Sequence, residues 1–201
     1  MQFFFNHVRM RLLASLLVFG LCACSPQRVQ FQSIDVTGAD YAKEFTLTDH
    51  NGQSRSLSDF KGKVVVLFFG YTQCPDVCPT TMVELAEVKR LLGADASKLQ
   101  VVFVTVDPAR DTTELLKAYM TNFDPTFVAF VPTSDELVDV AKRFKIYYKK
   151  QEGKTPTSYT MDHSAGSYVY DTQGNLRLYS RYGSGAKVLA QDIQTLLTST
   201  P

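Results

Sequence analysis

Two almost uninterrupted apolar runs constrain the fold of this chain more than any other feature. The first is KVVVLFFG, from Lys63 to Gly70, and the second is LQVVFVTV, from Leu99 to Val106. A short run of this kind, rich in β-branched residues and without polar alternation, is typical of a strand buried on both faces of a sheet. The sequence therefore predicts at least two central strands that are covered on both sides.

Segments with helical spacing follow both runs. After the first run the apolar residues Met82, Leu85, Val88 and Leu92 recur at helical spacing, and Gly93 is a suitable stop. Further along, the patterns predict a helix at 112–123, a strand at 126–132, a helix at 134–145 with Ser134 as its N-cap, a short strand at 146–150, a hairpin at 167–183 and a closing helix at 186–197.

This alternation of strands and helices favours an α/β sheet with helices on both faces. The order is typical of a thioredoxin-like fold with a central mixed, mostly parallel sheet. Asn51-Gly52 predicts an N-terminal hairpin. The polar stretch from Gln151 to Met161 is expected to be an inserted loop that leads to His163. We expect a single domain, since no linker, repeat or low-complexity tract interrupts the chain.

The N-terminal segment has the pattern of an export signal. Arg9 and Arg11 precede the apolar run LLASLLVFGLCA, which is too short to span a bilayer comfortably. The sequence LCAC, ending at Cys24, resembles a bacterial lipobox with Cys24 as the lipidated residue. We therefore expect a lipoprotein signal peptide at 1–23, a lipidated tether at 24–40, and a domain at 41–201. This domain would lie in the bacterial cell envelope, facing the periplasm.

Composition adds one exclusion. The chain of 201 residues has a formal net charge of +1, with 45% hydrophobic and 20% charged residues. These values are typical of a globular protein. Because there is no basic cluster, the sequence does not predict a nucleic-acid partner.

Two of the four cysteines are candidates for chemistry in the domain. Cys22 would be removed with the signal peptide and Cys24 would carry lipid, which leaves Cys74 and Cys78 in GYTQCPDVCPTT. A disulfide between them would close a very small loop and would stabilise the fold little. Cys74 is expected in the loop and Cys78 at the start of the following helix, where the helix dipole and free N–H groups favour the thiolate form of both. The pair therefore indicates redox chemistry or metal binding.

The choice of metal follows from the number of ligands. Thiolates select Cu(I), zinc or iron–sulfur clusters, but a structural zinc site or a cluster usually requires four protein ligands. Of the histidines, His7 lies in the leader, His50 in a predicted surface turn, and His163 in a predicted loop before a strand. Two sulfurs and the His163 imidazole would give a three-coordinate site that suits Cu(I), and Cu(II) with an added oxygen ligand.

Three segments of the chain resemble the Sco/SenC family of copper-binding assembly factors for cytochrome oxidase. They are VVLFFGYTQCPDVCPTTM, VTVDPARDT (Val104 to Thr112) and MDHSAGSYVYD (Met161 to Asp171). The resemblance implies a thioredoxin-like fold, membrane tethering, and copper bound by Cys74, Cys78 and His163. It also implies a role at the copper-bearing subunit of cytochrome c oxidase, with other periplasmic copper chaperones or thiol reductants as further partners.

Three aspartates near these motifs are secondary candidates. Asp107 and Asp111 match acidic residues of the family, and the resemblance suggests partner docking or copper relay for them. The alternative is loop capping, since aspartate before proline often starts a turn. Asp162 is a candidate acceptor for the imidazole of the adjacent His163.

Three functions remain open from the residues. The first is a copper chaperone that delivers copper to, or prepares, the dinuclear centre of the oxidase. The second is a thiol–disulfide oxidoreductase that reduces the oxidase cysteines, since two cysteines that bind Cu(I) can also form a disulfide. The Cys74–Cys78 pair has three intervening residues instead of the two of thioredoxin. A peroxiredoxin-like peroxidase is the least favoured, because Tyr71 and Leu67 stand where that pattern has threonine and proline.

Overall fold

The computed structural model describes residues 30–155 and 158–199. Its strands are β1 (Ile34–Asp35), β2 (Thr46–Thr48), β3 (Ser54–Ser56), β4 (Val64–Gly70), β5 (Leu99–Thr105), β6 (Val128–Phe130), β7 (Tyr148–Glu152), β8 (Tyr159–His163), β9 (Ser167–Tyr170) and β10 (Leu176–Ser180). Its α-helices are α1 (Val77–Leu92), α2 (Thr113–Thr121), α3 (Ser134–Phe144) and α4 (Ala186–Thr198).

The central sheet is mixed, as the sequence predicts, with the order β1-β10-β9-β4-β5-β6. Strands β4, β5 and β6 run parallel, while β9, β10 and β1 add antiparallel pairings on the other side of β4. Every residue of β4 and β5 is buried, since helices cover both faces of the sheet. The two apolar runs thus become the centre of the sheet, and their carboxyl ends lie side by side.

Aromatic side chains fill much of the core. Phe69 and Phe144 are fully buried and meet edge to face, with ring centroids 5.5 Å apart. Burying one such side chain stabilises the fold by roughly 1.5–3 kcal/mol. Helices α1 and α4 pack against each other. The first turn of α1 lies against the end of β4, where Cys78 approaches Gly70.

The segment predicted as an inserted loop is instead part of a second hairpin. β8 pairs antiparallel with β7 from Tyr148 opposite His163 to Glu152 opposite Tyr159. The residues Tyr159, Met161 and His163 alternate with more exposed neighbours along β8, which is the period of a strand. His163 is therefore the last residue of a strand, and pairing with Tyr148 fixes its place within the hairpin.

The N-cap of helix α3 differs from the predicted one. Thr133, not Ser134, is the N-cap: its side chain accepts a hydrogen bond from the backbone N–H of Glu136, and the Glu136 carboxylate accepts one from the backbone N–H of Thr133. This is a capping box, which satisfies two free helix donors at once. The glutamate three residues downstream therefore decides which of the two hydroxyl residues caps.

The folded unit also begins earlier than residue 41. A compact unit starts at Phe31, and β1 pairs with β10. The buried carboxylate of Asp192 accepts the backbone N–H groups of Gln32 and Ser33. Part of the predicted tether is thus an edge strand of the sheet.

The predicted signal peptide and Cys24 lie outside the described residues. Within the part of the chain that the structure describes, no helix has the length and apolar character needed to cross a bilayer.

Candidate metal centre

The cysteine loop connects the end of β4 to the start of α1. The chain turns after Gly70, and the backbone N–H of Cys74 donates to the carbonyl of Tyr71 at 3.4 Å. Cys78 lies in the first turn of α1 and is buried, while Cys74 is half-buried, and both are free thiols. Pro79 fits this first turn because its missing N–H would have no partner in the helix.

Sulfur replaces the usual oxygen at the N-terminus of α1. Asp76, the N-cap residue, makes no side-chain capping bond. Instead the backbone N–H of Cys78 donates to Sγ of Cys74 at 3.4 Å. A hydrogen bond from the Cys78 side chain is the largest of the causes that lower the pKa of Cys74 to about 4, and backbone N–H groups and His163 add to it. The same contact and burial raise the pKa of Cys78.

Gly70 allows the two elements to approach this closely. A Cβ at this position would lie 2.9 Å from Sγ of Cys78 and 2.7 Å from the ring of Phe68. Such distances are shorter than van der Waals contact, so a larger residue would displace a buried neighbour. The glycine at the end of β4 thus makes room for the sulfur of Cys78.

His163 reaches the site from the hairpin. Its Nε2 lies 3.4 Å from Sγ of Cys78, and its Nδ1 lies 3.0 Å from the carbonyl oxygen of Ser164. A carbonyl only accepts, so Nδ1 carries the proton and Nε2 presents its lone pair towards the sulfurs. The rings of Phe68 and Tyr71 meet the imidazole edge to face, each 5.9 Å away between centroids. These rings hold the imidazole plane in place.

The structure therefore brings together the three residues that sequence analysis selected. One ligand atom from each of Cys74, Cys78 and His163 lies within 4.8 Å of the other two. Among the described residues this is the single group of this kind formed by histidine, cysteine or acidic side chains. His50 is engaged elsewhere, since its Nδ1 accepts the backbone N–H of Ala129.

The two aspartates of the DPARD segment are buried and face inwards. Asp107 is 3% exposed and Asp111 is 0% exposed. Asp111 accepts hydrogen bonds from the N–H and hydroxyl of Thr72 and from the hydroxyl of Thr105, and burial raises its pKa. Neither carboxylate presents a surface for direct docking of a partner. They organise the loops beside the cysteines, which agrees with the loop-capping alternative.

Asp162 does not orient the imidazole. Its carboxylate accepts a hydrogen bond from the side-chain amide of Gln151, across the exposed face of the hairpin. Successive residues of a strand point to opposite sides, so Asp162 points away from the site when His163 points into it. The acceptor at Nδ1 is the carbonyl of Ser164.

Sequence reasoning did not select Arg110 and Tyr159, which lie beside the site. The guanidinium of Arg110 contacts both the cysteine loop and the hairpin, and the Tyr159 hydroxyl donates to Asp107. Arg110 lies inside the family motif VTVDPARDT, and the alternation Tyr159, Met161, His163 is a strand signal. A motif and a strand pattern thus marked these two residues in the sequence, but the contact between them depends on the tertiary fold.

The fold and the site together define a thioredoxin-like protein in which two thiols and one imidazole form a group that could hold a metal ion. The chain belongs to the SCO1/SenC family, whose model matches residues 35–198. It is 34% identical to an SCO2-like protein of Rickettsia conorii over 132 residues, 65% of this chain and 64% of that relative. The match thus spans somewhat less than two thirds of the relative's length.

Solved structures give the same result. Bradyrhizobium japonicum ScoI, solved with copper bound, is 38% identical and superposes with a TM-score of 0.70 over 77% of this chain and 98% of that one. Yeast Sco1, also solved with copper bound, is 28% identical with a TM-score of 0.71, covering 79% and 89%. These relatives share the fold of the chain, and both are described as copper-bound.

Proposed function

We propose that this protein is a copper chaperone that binds copper through Cys74, Cys78 and His163. The observation that carries the proposal is the proximity of their three ligand atoms, all within 4.8 Å of one another. The described structure offers two soft sulfurs and one imidazole, the donor set that Cu(I) favours over Mg²⁺, Ca²⁺ or other hard ions. Copper-bound relatives with the same fold support this choice of metal.

The cargo is Cu(I), and Cu(II) also fits if an oxygen ligand or water joins. Three protein ligands leave room for one more donor, so an incoming thiolate can bind before the original ligands leave. Half-buried Cys74 is the ligand that an acceptor reaches first, whereas Cys78 is buried beneath it. Copper would thus move by stepwise exchange of ligands, without a change in the fold.

The recipient is the copper-bearing subunit of a cytochrome c oxidase, following the family resemblance of the cysteine motif. Other periplasmic copper chaperones or thiol reductants would supply the copper or reduce the thiols. We further propose that residues 1–23 are a signal peptide and that lipidated Cys24 anchors the domain in the bacterial cell envelope, facing the periplasm. The LCAC sequence supports this anchor.

A second candidate function is reduction of the oxidase cysteines. The pair has the asymmetry of a thiol–disulfide oxidoreductase: Cys74 is more exposed and its pKa is lowered to about 4, while burial and the adjacent sulfur raise the pKa of Cys78. A thiolate attacks a disulfide and a neighbouring thiol then resolves the mixed disulfide. In this reaction Cys74 and Cys78 would become a disulfide as the substrate disulfide is reduced to two thiols.

One experiment with two arms tests both functions. In the first arm, copper stoichiometry and affinity are measured on the reduced protein by competition with a chelator. We expect one Cu(I) per chain, loss of tight binding in Cys74→Ala and Cys78→Ala, and weaker binding by at least about 10-fold in His163→Ala. In the second arm, copper is omitted and the reduction of an oxidised peptide from an oxidase copper subunit is followed.

His50→Ala is the matched control, because His50 bonds the backbone of Ala129. It should bind copper like the wild type. Wild-type affinity in either cysteine variant would reject the copper site. Rapid reduction of the peptide, lost in Cys74→Ala but retained in His163→Ala, would favour the reductase.

A further inference from the structure

The hairpin that carries His163 is separate from the central sheet. Among the described residues, strands β7 and β8 form a two-stranded sheet of their own, with no ladder to any strand of the central sheet. A two-stranded hairpin is marginally stable alone. Apart from the short connection from His163 to β9, which begins at Ser167, the position of the imidazole relative to the sulfurs therefore depends on contacts between the hairpin and the rest of the domain.

Arg110 makes the contacts that join the two halves of the site. Its Nη1 donates to the side-chain oxygen of Gln73, the residue before Cys74, and to the backbone carbonyl of Tyr159, each at 3.0 Å. The guanidinium also lies over the Tyr159 ring, 3.5 Å from its centroid. One side chain thus holds both the cysteine loop and the strand of His163.

The carboxylate of Asp107 fixes the position of the Arg110 guanidinium. This carboxylate accepts Nε of Arg110 and, through the other oxygen, the hydroxyl of Tyr159 at 2.8 Å. Asp107 is itself buried, and its backbone N–H donates to the hydroxyl of Thr105 at the end of β5. The cluster therefore rests on the carboxyl end of a central strand, which is a rigid support.

The register of β8 transmits this attachment to the imidazole. Tyr159, Met161 and His163 are the less exposed residues of the strand, so Tyr159 and His163 lie on the same face, separated by about 13 Å. His163 is at one end of β8 and the arginine cluster is at the other. Holding Tyr159 in place therefore sets the direction of β8, and with it the position at which His163 meets the sulfurs.

We propose that Arg110 and Tyr159 form a latch that positions His163 against Cys74 and Cys78, so that Arg110 is a positioning residue for the third copper ligand. This inference rests on the proposed function. Arg110 acts through His163 and touches neither sulfur in the contacts described. Its guanidinium fork matters as well as its charge, because it bonds Gln73, Asp107 and Tyr159 at the same time.

The test is a double-mutant cycle between Arg110→Ala and His163→Ala in the full-length chain, purified in mild detergent. Copper affinity should fall about 10-fold or more in Arg110→Ala, as for other residues that orient a ligand. In the His163→Ala background the same change should alter affinity less than about twofold. Arg110→Lys keeps the charge but lacks the fork, and should resemble Arg110→Ala.

A second readout needs no metal. In the copper-free protein, Arg110→Ala should speed amide hydrogen exchange in β8 at least about 10-fold, while exchange in β4 stays unchanged. Arg177→Ala is the matched control: Arg177 also pairs with an aspartate, Asp171, and lies 5.8 Å from an aromatic ring, that of Phe31. It should leave copper affinity and β8 exchange as in the wild type.

The outcomes separate this inference from the proposed function. A wild-type chain that binds no copper rejects the proposed function, and this is measured before any Arg110 variant. If copper binds and Arg110→Ala has wild-type affinity, the latch is overturned, even where β8 exchanges faster. Full rescue by Arg110→Lys, or an equal loss of affinity with and without His163, would show an electrostatic effect and would also overturn it.

Discussion

At the scale of single residues, the two cysteines differ although they lie four positions apart. Cys74 is half-buried and its sulfur accepts the backbone N–H of Cys78 at the start of α1. Cys78 is fully buried against β4. Hydrogen bonds from Cys78 and from backbone N–H groups stabilise the thiolate of Cys74, whereas the contact with the Cys74 sulfur and burial raise the pKa of Cys78. The same motif therefore holds one reactive sulfur and one protected sulfur.

The lowered pKa of Cys74, about 4, predicts an unusual pH dependence of alkylation. The thiolate is the nucleophile, so it remains fully populated as the pH falls from 8 to 6 and is lost only as the pH approaches the lowered pKa. We expect the rate of iodoacetamide modification of the reduced, copper-free protein to be nearly constant between pH 6 and 8. A free cysteine with an ordinary pKa would slow about 10-fold per pH unit there.

Cys74→Ser is the control for this measurement, since only the slow reaction of buried Cys78 should remain. A wild-type rate that falls steeply between pH 8 and pH 6 would contradict a stabilised thiolate at Cys74.

At the scale of elements, the site depends on the last residues of β4 and β8 and on the first turn of α1. β4 ends with a glycine, Cys74 lies in the loop just before α1 and Cys78 in its first turn, and β8 ends with the imidazole. β4 and α1 are specified by their own sequence patterns and β8 by its pairing with β7, and the 3.4 Å contact between Cys78 and His163 requires all three ends to coincide. Gly70 is the position where this junction is tightest.

Gly70→Ala should disturb the copper site through packing. Its Cβ would lie 2.9 Å from Sγ of Cys78 and 2.9 Å from the buried ring of Phe103, and overpacking of this kind costs about 1–3 kcal/mol. We expect a lower free energy of unfolding and a copper affinity reduced about 10-fold, measured by denaturant unfolding and chelator competition.

Val101→Ala provides the comparison, because Val101 is buried in β5 and its truncation leaves a cavity of similar energetic cost. It should lower stability without changing copper affinity. Equal copper affinities for Gly70→Ala and the wild type would show that the sulfur can move aside freely.

At the scale of the whole molecule, residues 32–35 attach the beginning of the described chain to the rest of the domain. β1 pairs with β10, and Asp192 of α4 accepts two backbone N–H groups at Gln32 and Ser33. If Cys24 carries lipid, the segment from 25 to 30 spans about 20 Å at most when fully extended. Such an anchor would keep the domain close to the membrane surface.

The anchor proposal predicts that Cys24→Ala releases the protein from membranes. In a bacterial host, the wild-type chain should sediment with membranes at high salt and dissolve in detergent, because the attachment is apolar. The Cys24→Ala chain should appear in the soluble envelope fraction or remain as an unprocessed precursor of higher mass.

Cys22→Ala is the matched control, since Cys22 lies on the removed side of the lipobox and should not affect attachment. A Cys24→Ala chain of mature size that still sediments with membranes would reject lipidation at this residue.

Much of the fold followed from local patterns. The apolar runs at 63–70 and 99–106 predicted buried strands, and the helical spacing of Met82, Leu85 and Val88 predicted a helix after the cysteines; both are present in the structure. The second hairpin was missed because Tyr159, Met161 and His163 alternate within a polar segment, where the strand period is weak. A pairing partner, β7, decided its structure.

The sequence by itself determined the types of ligand: two thiols on a helix N-terminus and a histidine in a motif shared with a copper-binding family. Only the tertiary structure decided that His163 lies 3.4 Å from Cys78, that Asp107 and Asp111 are buried, and that Arg110 joins the cysteine loop to Tyr159. The physical reason is the sequence separation over which each kind of interaction acts. Periodicity and capping act over a few residues, whereas these contacts join residues 37 to 85 positions apart and exist only when the sheet brings its strand ends together.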